Sequence, residues 1–244
     1  MKLAQSKTRP KLFPYASDKP SIVLEVYFAI YNAASSALIN MNLERKNEEL
    51  DKCLAKTYTN STPRHLGGHR NVTHTDAGAL AWLQFKFNIK SMVDIGCGPG
   101  GMQAIARGMS IQWQGIDGDP QLKREAVIIH DYCTSSLELA PVDLAWSVEF
   151  LEHVEESYIP NFMKTFACAR YSFVTHALPG KKGWHHVNCQ KPDYWIDVFA
   201  YHGFMFDQNA TQELRSRSTM KRDFVRANGL FFRNKKQAEV ICLR

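Results

Sequence analysis

The sequence lacks a paired-cysteine motif. Its six cysteines, Cys53, Cys97, Cys133, Cys168, Cys189 and Cys242, are scattered without a C-x-x-C pair. That excludes a zinc ribbon and, in the absence of a secretion signal, argues against a disulfide framework, so reduced and mostly buried thiols are expected. Also missing is an uninterrupted apolar run long enough to span a bilayer. The stretch from Ile22 to Met41 is broken by Glu25, Asn32, Ser35, Ser36 and Asn40, and it lies too far in and lacks the small-residue cleavage site of a signal peptide. A soluble, cytoplasmic protein is the expectation. There is no internal repeat and no low-complexity tract. Hydrophobic residues at 45%, aromatics at 11% and charged residues at 22% are globular values, which excludes a disordered or collagen-like chain. At 244 residues the chain suits one large domain, or one domain with an appendage, better than two full domains.

What is present begins with charge. Lys and Arg number 30 against 24 acidic residues, a net +6. The segment Thr211 to Gln237 carries eight basic residues against Glu213 and Asp223, so the whole excess sits there. Near the start, Ser17-Asp18-Lys19-Pro20 offers a capping residue and an early proline, and Ile22, Val26, Ile30, Ala33, Ala37 and Met41 recur at helical spacing. A more polar helix is expected from about Leu43 to Tyr58, then a long loop from Thr59 to Thr75 rich in Asn, Ser, Thr, Gly and His. From Asp76 the pattern changes to short apolar runs alternating with helical ones. Strands are expected at Ser91 to Ile95, Ile111 to Ile116, Ala126 to Ile129, Val142 to Trp146, Tyr171 to Thr175 and Phe204 to Phe206. Leu230 to Phe232 and Ala238 to Leu243 compete for the last strand. Helices fit Met102 to Gly108, Pro160 to Cys168 and Asp193 to Tyr201. This alternation predicts an α/β fold, a mostly parallel, doubly wound sheet with helices on both faces.

The run Val93-Asp94-Ile95-Gly96-Cys97-Gly98-Pro99-Gly100-Gly101 puts an acid at the end of a buried strand and glycines in the turn before a helix. Glycines admit positive φ and let a ligand approach the backbone, while the helix start offers free N–H groups. A dinucleotide fingerprint needs G-x-G-x-x-G and a P-loop ends in G-K-[ST]; both fit worse. The run resembles motif I of class I S-adenosylmethionine-dependent methyltransferases. Further positions follow in order over roughly Asp76 to Gln208. Gly115-Ile116-Asp117-Gly118 is similar to the strand end whose acid accepts from the cofactor ribose. His130-Asp131-Tyr132 is similar to the position where an acid meets the adenine amino group and the next side chain covers the ring. Asp143 to Val154 is similar to the fourth-strand segment facing the donor methyl, which brings in Ser147. The resemblance implies a seven-stranded Rossmann-like fold and S-adenosyl-L-methionine as cofactor. It implies binding by Asp94, Gly96, Cys97, Gly98, Gly100, Asp117, Gly118, Asp131, Tyr132 and Ser147, with Arg70 placed for the methionine carboxylate. Cys97 reads as a small apolar filler rather than a nucleophile. Residues 1–75 are then a helical cap and loop, or a homodimer contact, on a methyltransferase domain at 76–244.

Methyl transfer from a sulfonium needs orientation, exclusion of water and sometimes a base, for which His is suited. His153, His176, His185 and His186 fall where the acceptor site would open, and His153 or His186 is favoured as base or orienter, with His185 a third candidate. The metal-free reading is preferred. Glu149-x-x-Glu152-His153 leaves an alternative open, because it is similar to an acidic-His segment in quinone O-methyltransferases and small-RNA 3′-end methyltransferases, some of which hold a divalent metal. Trp146-Ser147-Val148-Glu149 is not the D/N-P-P-Y/F of DNA amino methylation, no Pro-Cys supplies a cytosine nucleophile, and the Lys-Asp-Lys-Glu set of RNA ribose methyltransferases has no clear counterpart. O-methylation of a sugar or small hydroxylated molecule remains, with Trp184, Tyr194 and Trp195 expected near the mouth for stacking. Ser218 to Phe224 is similar to a segment in phage and bacterial methyltransferases associated with glycan modification, which implies a saccharide acceptor. Nucleic acid, met by the basic segment, is the alternative partner, and a non-catalytic cofactor-binding scaffold is a third.

Overall fold

The computed structural model describes Pro63 and residues 65–236. The helices expected over Ile22 to Met41 and Leu43 to Tyr58, and the rival final strand Ala238 to Leu243, lie outside the described residues. Among those described, no helix is long and apolar enough to cross a membrane.

The first helix, α1 (Ala77–Phe87), starts where Asp76 adopts extended backbone and its carboxylate accepts the Ala79 N–H, and it stops at Asn88 in the left-handed region. Then follow β1 (Ser91–Ile95), α2 (Gly101–Gly108), β2 (Gln112–Asp117), β3 (Val127–Ile129) and β4 (Val142–Ser147). The second half holds α3 (Ile159–Phe166), β5 (Ala169–Val174), α4 (Pro192–Tyr201), β6 (Phe204–Phe206), α5 (Gln208–Arg217), α6 (Phe224–Asn228) and β7 (Leu230–Asn234). Of the two candidates for the last strand, Leu230 to Phe232 is the one within the described residues, and it is a strand.

The strands form one sheet in the order β3-β2-β1-β4-β5-β7-β6. Neighbours from β3 to β5 run parallel, and β7 is antiparallel to both β5 and β6. Alternation along the strands feeds two cores. Met92, Leu144, Trp146, Phe173 and Phe231 face the side covered by α1, α2 and α5, whereas Val93, Ile95, Ala145, Val174 and Phe232 face α3 and α4. Burial on both faces toward the C-terminal ends of β1, β4 and β5 is why these strands read as apolar-rich runs rather than polar alternations. The chain leaves β1 toward β2 and β3, then returns to the other side of β1 for β4. The C-terminal ends of β1 and β4 therefore flank a crevice, the place where open α/β sheets take ligands.

Two expectations change here. Of the described cysteines only Cys97 is buried; Cys133, Cys168 and Cys189 are half-exposed. Trp195 does not face an acceptor mouth: it and Phe199, four residues on and so on the same face of α4, are fully buried in the core, and Tyr194 donates its hydroxyl to Glu156 at 2.7 Å. The basic segment is also less of a solvated face than its composition suggests. Arg215 donates to the Gly229 carbonyl, Arg226 to the Met220 carbonyl, and Arg233 pairs with Asp207 at 2.7 Å.

Candidate functional site

At the crevice lies a cavity of about 500 Å³. Its cofactor-side wall is the turn after β1. Gly96 has φ 72°, and a Cβ there would stand 2.8 Å from the Phe150 ring, so neither the conformation nor the space admits a side chain. The Gly96 and Cys97 N–H groups both donate to the Ile116 carbonyl, tying the turn to β2. The Gly98 N–H donates to Asp117 Oδ2 at 2.8 Å, and Asp117 Oδ1 accepts from the Asp119 N–H. Burial pushes the Asp117 carboxyl above its ordinary range, against these hydrogen bonds and the nearby His69. Asp94 is buried beneath the turn and accepts from the Trp113 indole N–H at 3.2 Å. Burial lifts its carboxyl to about 7, with Trp113 pulling down and Asp117 pushing up. Cys97 lies inside the turn and burial raises its thiol far above the ordinary value, which fits a filler and not a nucleophile.

A strap, residues 65–75, crosses the mouth. His65 Nε2 lies 2.8 Å from Asp131 Oδ2, and His69 Nε2 lies 3.2 Å from Asp119 Oδ2. Leu66 approaches Gly118 so closely that a Cβ at Gly118 would overlap it, and Thr73 Oγ1 accepts the Gly101 N–H. Asp131 is pulled up by burial, but hydrogen bonds from His65 and the Cys133 N–H outweigh this and lower it overall. The strap thus bonds to acids after two successive strands, β2 and β3.

The far wall grows from the end of β4. Glu149 has φ 55°, donates its N–H to Thr175 Oγ1, and accepts from the same hydroxyl through Oε1 at 3.2 Å. Burial raises its carboxyl to about 7. Three residues on, in a 3-10 turn (Leu151–His153), Glu152 is fully buried and neither carboxylate oxygen has a hydrogen-bond partner among the described residues. Burial, with Glu149 adding to it, holds that carboxyl well above the ordinary range. His153 is driven down to about 4 by burial and by His186. The loop carrying His186 is stitched on through the Glu152 carbonyl, which accepts from the Val187 and Asn188 N–H groups, and through Asn188, whose amide donates to the Val154 carbonyl. His186 Nδ1 lies 2.9 Å from the Lys181 carbonyl. A carbonyl only accepts, so Nδ1 carries the proton and Nε2 keeps a free lone pair. One ligand atom each from Glu152, His153 and His186 lies within 4.8 Å of the other two. A buried carboxyl group without a hydrogen-bond donor beside two imidazoles is a ligand set that suits a divalent transition metal.

The cavity wall includes Asp94, Gly96, Cys97, Gly98, Asp117, Gly118, Asp131, Tyr132, Arg70, His153 and His186 of the residues expected from sequence. Gly100, Ser147 and His185 are not on it. Gly100 caps α2 with φ 78°, Ser147 turns inward to donate to the Ile95 carbonyl, and His185 Nδ1 bonds the His153 carbonyl at 3.0 Å. His176 is fully buried on the Gln190 carbonyl and also stands off the wall. Trp184 is the expected aromatic that does line the opening, 44% exposed. Sequence reasoning missed Asp119, which caps the next turn through the Gln121 N–H and anchors His69. Its signal was the second acid of Asp117-Gly-Asp119-Pro.

A parallel sheet switching direction between β1 and β4, closed by a reversed seventh strand inserted beside the fifth, decides the fold. This strand order, with β7 reversed, is the seven-stranded Rossmann-like sheet that the sequence resemblance implied. Solved structures similar to this chain include two described as methyltransferases and one described as a biosynthetic protein. One is a TehB-like enzyme from Corynebacterium glutamicum at 14% identity, covering 65% of this chain and 88% of the other with TM-score 0.48. Another is magnesium protoporphyrin IX methyltransferase from Synechocystis PCC 6803 with bound S-adenosylmethionine, at 14% identity, 63% and 74% coverage and TM-score 0.44. A third is the pyocyanin biosynthetic protein PhzM, at 11% identity, 64% and 54% coverage and TM-score 0.42, so the match to this chain spans about half of that protein's length. No protein-family profile matches the sequence, and no curated protein does.

Proposed function

We propose that the chain is an S-adenosylmethionine-dependent O-methyltransferase for a hydroxylated small molecule or sugar. The observation that carries this reading is the joining, in one cavity, of the glycine turn with its following acids to His153 and His186, with Glu152 buried beside the two histidines. The backbone of Gly96 to Gly98 and the carboxylates of Asp94, Asp117 and Asp131 suit a nucleoside bearing a cationic tail. Arg70, on the strap, suits the tail's carboxylate. In the reaction the acceptor oxygen attacks the methyl carbon in line as the carbon–sulfur bond breaks, and the hydroxyl proton must leave. His186 Nε2 takes it in this reading, which is supported by the contact of Nδ1 with the Lys181 carbonyl. The strap and Trp184 exclude water from the opening.

Glu152 favours a second layer to this reading. A fully buried carboxyl with two unpartnered oxygens is costly unless it stays protonated or meets a cation. Glu152, His153 and His186 would hold a divalent cation, which when bound would acidify the acceptor hydroxyl in place of the His186 base, since a ligating nitrogen cannot also take the proton. In the metal-free form preferred from sequence, burial favours the protonated form of Glu152.

Transfer of labelled methyl from S-adenosylmethionine to a panel of phenols, catechols, glycans and RNA, with and without chelator, tests the assignment. Product on hydroxyl acceptors is expected. Cofactor binding without transfer to any acceptor would favour the scaffold reading, and transfer to RNA alone would favour the nucleic-acid one. Manganese binding to apoprotein, read by calorimetry and lost in Glu152→Gln, is expected for the cation site; no binding by the wild type would remove it.

A further inference from the structure

The turn from Ser218 to Asp223 is the part of the basic segment that reaches the cavity. Asp76, at the start of α1, holds it there: its carboxylate accepts from the Ser218 hydroxyl and from the Thr219 N–H at 2.9 Å while also capping α1. The Gly78 N–H returns a bond to Thr219 Oγ1, and the Arg226 guanidinium grips the Met220 and Arg222 carbonyls. Phe224 packs edge-on against His74, whose ring centroid is 4.9 Å away. A turn tied at so many points presents Arg222 in a fixed place, on the cavity wall with His74 and Glu149.

Neighbouring arginines spend their donors on the fold, Arg215 and Arg226 on carbonyls and Arg233 on Asp207. Arg222 is different. Its side chain is exposed, and among the described residues no carboxylate pairs with it. Its charge is felt inside the wall, where it adds to burial in lowering His74. A guanidinium offers five donors in a planar fork that matches the oxygens of phosphate and carboxylate. Arg70, the other arginine on the wall, belongs to the strap beside the His69–Asp119 pair and so to the cofactor end.

We propose that Arg222 seats an oxyanion of the acceptor, so that the molecule methylated is a hydroxyl compound carrying a phosphate or a carboxylate. This rests on the methyl-transfer reading of the cavity. It also gives the basic segment a role that its composition alone left open: one directed cation at the acceptor mouth, on a turn that Arg226 braces.

The test uses the full chain with S-adenosylhomocysteine already bound, followed by calorimetry. Glucose 6-phosphate is compared with glucose, and 3,4-dihydroxybenzoate with catechol, on wild type, Arg222→Gln and Arg222→Lys. At least one charged probe is expected to bind more tightly than its neutral partner. Arg222→Gln should weaken it about 10- to 100-fold, as loss of a charge-assisted bond does, and Arg222→Lys should recover part of the loss, with affinity for S-adenosylhomocysteine unchanged. Which pair discriminates tells phosphate from carboxylate. Equal binding of charged and neutral probes, failure of both charged probes on protein that binds S-adenosylhomocysteine, or indifference to Arg222→Gln would overturn the proposal. So would tight, steeply salt-dependent binding of an oligoribonucleotide that Arg222→Gln leaves intact. Failure to bind S-adenosylhomocysteine would instead strike the methyl-transfer reading itself.

Discussion

Replacing Asp94 by Asn should stabilise the protein at alkaline pH and leave it unchanged in acid. The carboxyl sits beneath the glycine turn, 3% exposed, with the Trp113 indole N–H as its side-chain donor and Asp117 nearby. Burial raises it from 3.8 to about 7 in the folded chain. A raised carboxyl means that the fold prefers the neutral form. Below pH 4 both folded and unfolded states are protonated and nothing is lost. Between pH 4 and 7 the unfolded chain ionises while the folded one holds its proton, so stability falls as pH rises; above 7 the deficit is constant. At 1.36 kcal/mol per pH unit the interval is worth about 4 kcal/mol, an upper bound that relaxation of the site reduces. Asparagine keeps the size and the acceptor for Trp113 but cannot ionise. Urea unfolding at pH 4, 6 and 8 is the assay. The expected advantage of Asp94→Asn grows from near zero at pH 4 to a few kcal/mol at pH 8. The same variant should bind the cationic cofactor more weakly, because it loses the carboxylate that would face it. A difference between the two proteins that does not change with pH would refute the reasoning.

Asp76→Ala should cost about 3 kcal/mol in urea unfolding, because it removes the α1 cap and leaves the Thr219 N–H of the 218–220 turn without its acceptor; a loss under about 0.5 kcal/mol would contradict the clamp. Gly78→Ala should destabilise by about 1–3 kcal/mol despite alanine's better helix propensity, because a Cβ there meets the Arg217 carbonyl at 2.2 Å, backbone that cannot swing aside. Neutral or improved stability would show that α1 and α5 are not packed this closely.

The sheet was legible because its strands are buried on both faces and end in recognisable turns. Asp94 to Gly100, Asp117 and Asp131 mark the C-terminal ends of β1, β2 and β3, and any chain folding this way brings them to one crevice. The two histidines favoured for the acceptor side both reach the cavity, His153 from the turn after β4 and His186 because the loop after β5 returns over the sheet edge. What sequence could not separate was burial from exposure within one helix or loop. Trp195 and Trp184 look alike as aromatics near a mouth, yet the face of α4 sends one into the core while the loop leaves the other open. His176 differs from His186 only in that its strand end is covered. Nor does composition reveal which arginines of 211–237 are consumed by carbonyls, because those partners, such as Gly229 for Arg215, are fixed by tertiary packing.

The most direct test of the central claim is calorimetric titration of S-adenosylmethionine into the wild-type chain and into Asp117→Ala. One-site binding is expected for the wild type. Asp117→Ala should bind at least about tenfold more weakly, since it removes the carboxylate proposed to accept from the ribose hydroxyls. Wild-type protein that stays folded and takes up no S-adenosylmethionine would contradict the account.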